Sequence, residues 1–355
     1  MNFEALITQF GEEHLLLLGG LVIGIIFGAA AQQSRFCLRA ATMEVAHGKP
    51  ADRMAIWLVT FAIALIATQL LIISGLFDTN GLRQFSNRGS LSGAIIGGLI
   101  FGVGMALSRA CSGRMLVLTG GGNLRALLTG LVFAVAAQAS LEGILAPLRT
   151  EIGSWWTIDG PSRNLIGVTG IGNWGALAFS VTWLLLGAYM VRKHAVSAYT
   201  VILGCVVGLM IAAAWWFNFG VSANAFEVVV PVHSLSFASP TSDTLMFFLS
   251  PPGGALSFDL GLIPGVLIGS FGAALLSRSF KLEGFHDHHT MIRYMIGGCF
   301  MGFGAILAGG CAIGAGVSGA SVFAVTAWLT LWSIWLGAVI TDIVVDRWLF
   351  KKQPG

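Results

Sequence analysis

Apolar runs long enough to cross a bilayer, about 17–25 residues as a helix, recur along this entire chain. They lie near residues 15–33, 54–76, 91–108, 123–141, 173–191, 199–219, 260–277, 291–308 and 322–345. No other feature constrains the fold as much. A segment in hydrocarbon must satisfy its own backbone hydrogen bonds, so each run is expected to be a helix. Only 10% of the residues are charged, against roughly a quarter in soluble domains. The expectation is an all-α integral membrane protein with about nine transmembrane helices. Too little polar sequence remains for a second unit, so residues 1–355 read as a single transmembrane domain set in the lipid bilayer.

Charge placement suggests the orientation. Glu4, Glu12 and Glu13 precede the first run without any Lys or Arg, the reverse of a signal peptide's basic leader. Lys49 and Arg53, Arg192 and Lys193, Arg278 and Lys281, and Arg347, Lys351 and Lys352 follow runs one, five, seven and nine. Cytoplasmic loops attract basic residues, which predicts an outside N-terminus and a cytoplasmic C-terminus. Loops 77–90, 142–172 and 220–259 then face outward, with Trp155, Trp156, Trp215 and Trp216 as interfacial anchors. Topology accounts for most of the lysines behind the net charge of +3, and nothing points to nucleic-acid binding.

One segment occurs twice. Gly97, Gly98, Gly102, Gly104, Leu107 and Cys111 return without a gap 200 residues later as Gly297, Gly298, Gly302, Gly304, Leu307 and Cys311. A weaker echo at an offset of 184 pairs Gly20, Val22, Gly24, Ala29 and Ala30 with Gly204, Val206, Gly208, Ala213 and Ala214. Paired runs are five crossings apart and therefore traverse the membrane in opposite senses. Two inverted-topology repeats are expected, about 15–141 and 199–345, with 142–198 as connector. Repeats of this kind characterise secondary transporters whose site lies at the midplane.

The repeated segments end in glycine-rich cysteine sequences. Gly113, Gly120, Gly121 and Gly122 follow Cys111, and Gly309, Gly310, Gly314, Gly316 and Gly319 surround Cys311. Each interior glycine costs a helix about 1 kcal/mol relative to alanine. Both cysteines are thus expected at breaks between a long helix and a short, broken or re-entrant one. Elsewhere, glycine at this density has a plainer role in close helix packing. Amides at a helix N-terminus make an anion site, with Gly310 as a candidate. Ser34-Arg35-Phe36-Cys37 and Ser108-Arg109-Ala110-Cys111 share a Ser-Arg-x-Cys pattern, so Cys37 joins Cys111 and Cys311 as a substrate-pathway candidate. Arg35, Arg109 and Arg114 are candidate anion-binding cations, since arginine at membrane depth suggests function. Snorkelling toward head groups is the alternative for a helix-end arginine.

The remaining residues exclude more than they add. Cys205 and Cys299 lie in apolar runs and are expected to pack as small hydrophobes. His286, Asp287, His288 and His289 read as a solvated turn. No paired CxxC, HExxH or nucleotide-binding glycine motif is present, so neither a metal nor a cofactor is expected. Glu44 and Glu142 sit at segment edges and read as loop residues.

Arg35-Phe36-Cys37-Leu38, the glycine-notched run to Cys111, and Ala308-Gly309-Gly310-Cys311-Ala312-Ile313-Gly314 together resemble the YeeE/YedE family of sulfur-transport membrane proteins. The resemblance covers about residues 15–345. It implies a transporter, not an enzyme, in the bacterial inner membrane, carrying thiosulfate or a related small sulfur anion. Cys37, Cys111 and Cys311 would line the route and pass the substrate by S–H contacts. A cytoplasmic sulfur carrier of the TusA type is an implied partner. Family members commonly have Ala-Gly-Gly-Cys before the second cysteine, and Ser108-Arg109-Ala110-Cys111 departs from it. Another sulfur oxyanion, sulfide, a persulfide or a selenium analogue therefore stays open beside thiosulfate. The competing class is a membrane sulfurtransferase or thiol oxidoreductase carrying sulfur as a cysteine persulfide. That chemistry needs an activated thiolate and a resolving partner.

Overall fold

Backbone groups in hydrocarbon have no water to bond, and the apolar runs accordingly become helices throughout. The computed structural model describes residues 3–49, 51–79, 82–225, 230–251, 253–285 and 287–344. The first half contains α1 (Phe3–Phe10), α2 (Glu12–Ser34), α3 (Leu38–Ala46), α4 (Asp52–Ile73), α5 (Arg83–Ser86), α6 (Gly98–Leu107), α7 (Ser112–Gly120) and α8 (Leu124–Leu141). Next come α9 (Ala146–Ser154), α10 (Leu165–Thr169) and α11 (Gly172–Lys193). The second half contains α12 (Ala198–Asn224), α13 (Ser239–Leu249), α14 (Phe258–Leu276), α15 (His288–Leu307) and α16 (Val325–Thr341). A π turn at Gly93–Gly97 leads into α6, and another at Gly314–Gly319 follows Cys311. The two-residue strands β1 (Gly89–Ser90) and β2 (Thr157–Ile158) pair antiparallel.

Among the described residues, nine helical spans are long and apolar enough to cross a membrane. They are Glu12–Ala46, Asp52–Ile73, Gly93–Gly120, Leu124–Leu141, Gly172–Lys193, Ala198–Asn224, Phe258–Leu276, His288–Leu307 and Val325–Val344. These match the nine expected runs, but the first and third continue past the Cys37 and Cys111 breaks to Ala46 and Gly120, well beyond the expected ends at 33 and 108. The other ends shift by a few residues. Arg347, Lys351 and Lys352, on which the orientation of the last run drew, lie outside the described residues.

The repeated glycines are contact points between helices. A Cβ on Gly97 would come within 2.8 Å of the Gly304 carbonyl oxygen, and one on Gly304 within 2.7 Å of the Gly97 oxygen. Gly104 meets the Gly297 oxygen at 2.5 Å in the same sense, and Gly297 the Gly104 oxygen at 2.8 Å. Exchanging the two halves maps the first pair onto the second. The exchange also relates Gly102 against Ile334 of α16 to Gly302 against Phe133 of α8. Likewise it relates Gly24 against Leu262 of α14 to Gly208 against Thr60 of α4. Absent side chains let the backbones approach, as interfaces between membrane helices require. Packing therefore accounts for the repeated glycines.

Three expectations about the loops and their edges change. Residues 142–172 contain α9 and α10, and the 220–259 stretch contains α13. Trp155 and Trp156 are exposed, but Trp215 is buried in α12. Its ring stacks on Phe77 at 5.2 Å and its Nε1–H donates to Ser321 Oγ at 3.2 Å. Trp216 packs edge-on against Phe3 at 5.3 Å. Glu44 is not a loop residue: it lies in α3, and its carboxylate accepts from the Ala51, Arg53 and Met54 N–H groups at 2.9, 3.2 and 2.9 Å. Those bonds satisfy orphan donors at the start of α4.

Candidate functional site

Three long helices, α2, α6 and α15, stop in the same way. The residue two before each cysteine is left-handed: Arg35 (φ 53°), Arg109 (φ 58°) and Gly309 (φ 79°). That conformation costs a residue with a Cβ about 1–2 kcal/mol, so glycine suits position 309 while two arginines bear the strain. Cys37 and Cys111 then take extended backbone as the N-caps of α3 and α7. In the third break the Gly309 and Gly310 N–H groups close α15 by donating to Ile306 O at 3.2 Å and Ala305 O at 2.8 Å. Gly310 must be small, because a Cβ there would lie 2.8 Å from the Ala315 nitrogen.

The breaks bring three thiols together. Cys37, Cys111 and Cys311 are all free and buried. Cys37 and Cys111 lie side by side, and Cys311 is within electrostatic reach of Cys111. Backbone donors face the Cys311 sulfur. The Phe237 and Gly314 N–H groups each donate to Cys311 Sγ at 3.3 Å. Cys37 and Cys111 stand at the N-caps of α3 and α7, and neither sulfur accepts a capping bond from its helix. The start of a helical turn leaves N–H groups without helical partners, and at Gly314 the Cys311 thiol occupies that place.

A fourth break completes the arrangement. Ala238 is the N-cap of α13, so Phe237 precedes that helix as Phe36 precedes α3. Alanine thus caps α13 where cysteine caps α3. The segment leading to Phe237 is irregular, and other elements satisfy its carbonyls. Ser318 Oγ donates to Leu235 O at 2.8 Å, and Asn218 Nδ2 to His233 O at 2.9 Å. The Phe237 ring meets Phe27 at 5.3 Å between centroids. With Ile313, the Phe237 ring fills the space over Gly113. These apolar groups wall the thiols in. Sequence reasoning missed Phe237 by placing it in an outer polar loop. The available signal was apolar Leu235 and Phe237 just ahead of the Pro240 helix start.

The candidate cations separate. Arg114 is half-buried beside Cys37 and Cys111, and donates through NH1 to Ala31 O at 3.1 Å. Arg35 and Arg109 are exposed at their helix ends. Gly310 is buried with its N–H committed to Ala305. Cys205 is half-buried and Cys299 is exposed, both away from the breaks. His286 lies outside the described residues, and Asp287 caps α15 through the Thr290 N–H at 3.1 Å. Among the described residues, no group of three or more His, Cys, Asp or Glu is placed to hold a metal. An apolar cavity of about 170 Å³, lined by Met115, Leu127, Leu131, Phe133 and Phe248, lies between α7, α8 and α13 and suits hydrocarbon, not an anion.

Comparison with known proteins gives a consistent assignment. The chain matches the family described as Sulphur transport over residues 33–340. It is 25% identical to the thiosulfate transporter TsuA of Escherichia coli (strain K12), across 96% of both chains. It is 26% identical to the thiosulfate transporter TsuA of Spirochaeta thermophila (strain ATCC 700085 / DSM 6578 / Z-1203), across 87% of this chain and 93% of that relative.

Proposed function

The chain belongs to the sulphur transport family, and from that premise we propose that it carries thiosulfate across the bacterial inner membrane past Cys37, Cys111 and Cys311. The observation behind this reading is that three helix breaks each carry a buried free thiol, with Cys37 and Cys111 side by side and Cys311 within electrostatic reach of Cys111. Thiosulfate has a hard, doubly charged oxyanion end and a soft terminal sulfur. Thiols are weak donors, and a conducting site must release as well as bind. Three weak contacts in series meet both demands better than one strong site would.

Within this reading, Arg114 supplies a fixed positive charge at the Cys37–Cys111 pair. Phe27, Phe237 and Ile313 exclude water around the thiols, which strengthens every polar contact inside. Arg35 and Arg109 attract the anion at the helix ends, and the Gly310 break gives it room. The halves act as inverted repeats that rock about the shared site to expose each side in turn. The N-terminus is outside, the C-terminus is cytoplasmic, and a TusA-like carrier receives the sulfur compound inside.

The side-by-side placement of Cys37 and Cys111 favours one second reading, a thiol enzyme that stores sulfur as a persulfide. Proteoliposomes with sulfur-labelled thiosulfate outside separate the two. Transport predicts label in the lumen, competition by unlabelled thiosulfate, and no mass added to the protein. A persulfide adduct with an empty lumen would contradict transport.

A further inference from the structure

A second cavity, of about 110 Å³, opens beside the Cys111 break, and its lining includes Ser108, Arg109, Asn123, Arg125, Thr129 and Tyr294. Unlike the apolar cavity, it gathers two guanidinium groups. Arg109 holds a left-handed φ of 58° where Gly309 holds 79° in the other half. Backbone geometry alone would favour glycine there, so the arginine is kept against its local preference. It makes no hydrogen bond or ion pair with another described residue.

The other guanidinium is already engaged. Arg125 NH2 donates to Glu283 Oε2 at 2.7 Å, and Asn123 Nδ2 donates to the same oxygen at 2.8 Å. Two donors converging on one carboxylate oxygen form an anion site, filled here by the protein's own carboxylate. The backbone around Glu283 does not depend on that side chain. Leu124 N donates to Glu283 O at 2.9 Å, and Glu283 N to Gly122 O at 3.2 Å. The Glu283 side chain is 45% exposed and can swing into water while its loop stays in place.

We propose that this cavity is an antechamber for a divalent sulfur oxyanion, with Arg109 as its standing cation and Glu283 as the displaceable counter-ion of Arg125 and Asn123. This rests on the transport reading and places the antechamber on the side that basic loops assign to the cytoplasm. An arriving dianion meets Arg109, displaces the Glu283 carboxylate and gains Arg125 as its second cation. The returning carboxylate then drives the anion off. Two guanidinium groups without a competitor would grip an oxyanion through charge-assisted pairs, and the site would fill without emptying.

Labelled sulfate is the probe, because it has the oxyanion end without the soft sulfur that thiols would hold. The purified full-length protein in detergent should bind it weakly. Glu283→Gln, nearly isosteric, should bind about tenfold tighter, and Arg109→Gln about tenfold weaker, as expected for one unit charge at a partly screened site. Sulfate binding indifferent to both substitutions would overturn the proposal. If Glu283→Gln fails to fold, Arg109→Gln, at an exposed position, carries the test alone. Repeating the titration in phosphatidylglycerol nanodiscs separates the two sources of such an anion. Binding abolished there would give the site to a lipid phosphate and overturn the antechamber. Failure of the wild type to carry thiosulfate would defeat the transport reading while leaving these binding results intact.

Discussion

Phe237 joins the two halves at the thiols: its backbone N–H donates to Cys311 Sγ at 3.3 Å while its ring lies 5.3 Å from that of Phe27 in α2. One residue therefore orients a sulfur and closes the space around it. Phe237→Ala keeps the N–H and removes the ring. Core truncations of phenylalanine cost about 3–5 kcal/mol, so the variant should melt lower in detergent and leak small anions through proteoliposomes. Phe237→Leu, closer in volume, should recover most of both.

Glycine substitutions should divide by what faces them. Gly104→Leu places a side chain against the α15 backbone, where even a Cβ would lie 2.5 Å from Gly297 O. Its folded yield should collapse. Gly130→Ala in α8 meets nothing within 4 Å, and should be neutral or stabilise by up to about 1 kcal/mol through helix propensity. Size-exclusion profiles after a heating series would score both.

Arg114 should matter through its charge and its reach to Ala31 O at 3.1 Å. Arg114→Gln is expected to fold and to lose about tenfold or more in uptake, the scale of one missing charge at low dielectric. Arg114→Lys should recover only part, because a lysine lacks the planar fork. Uptake at matched membrane abundance measures both.

Acid should loosen the start of α15. The Thr290 N–H bond pulls the Asp287 carboxyl below its ordinary 3.8. A lowered folded value means that its stabilising contribution is complete above 3.8 and fades as pH falls through the folded value. Hydrogen exchange at the Thr290 amide, corrected for its intrinsic rate, should accelerate with acidification in the wild type. In Asp287→Asn it should stay flat.

The fold was largely legible because hydrocarbon length and obligatory backbone bonding leave the apolar runs little choice. Cys37, Cys111 and Cys311 were legible as ends of runs, since glycine and arginine sit just ahead of them. Their meeting was not, because it depends on how α2, α6 and α15 pack across the halves. Trp215 looked interfacial by type, yet hydropathy does not say which turn of α12 another helix covers. Phe237 was hidden for a related reason. Its segment takes its hydrogen bonds from Asn218 and Ser318, residues distant in the chain. Of the arginines, Arg35, Arg109 and Arg114 looked alike in sequence, and only packing separated Arg114 from the two exposed ones.

The central claim is that substrate moves by way of three thiols. It is tested most directly by uptake of sulfur-labelled thiosulfate into cells lacking their own importers, comparing wild type with Cys37→Ala, Cys111→Ala and Cys311→Ala at equal membrane abundance. The account predicts robust uptake by the wild type and a loss in each of the three variants. Undiminished uptake by the variants would contradict it.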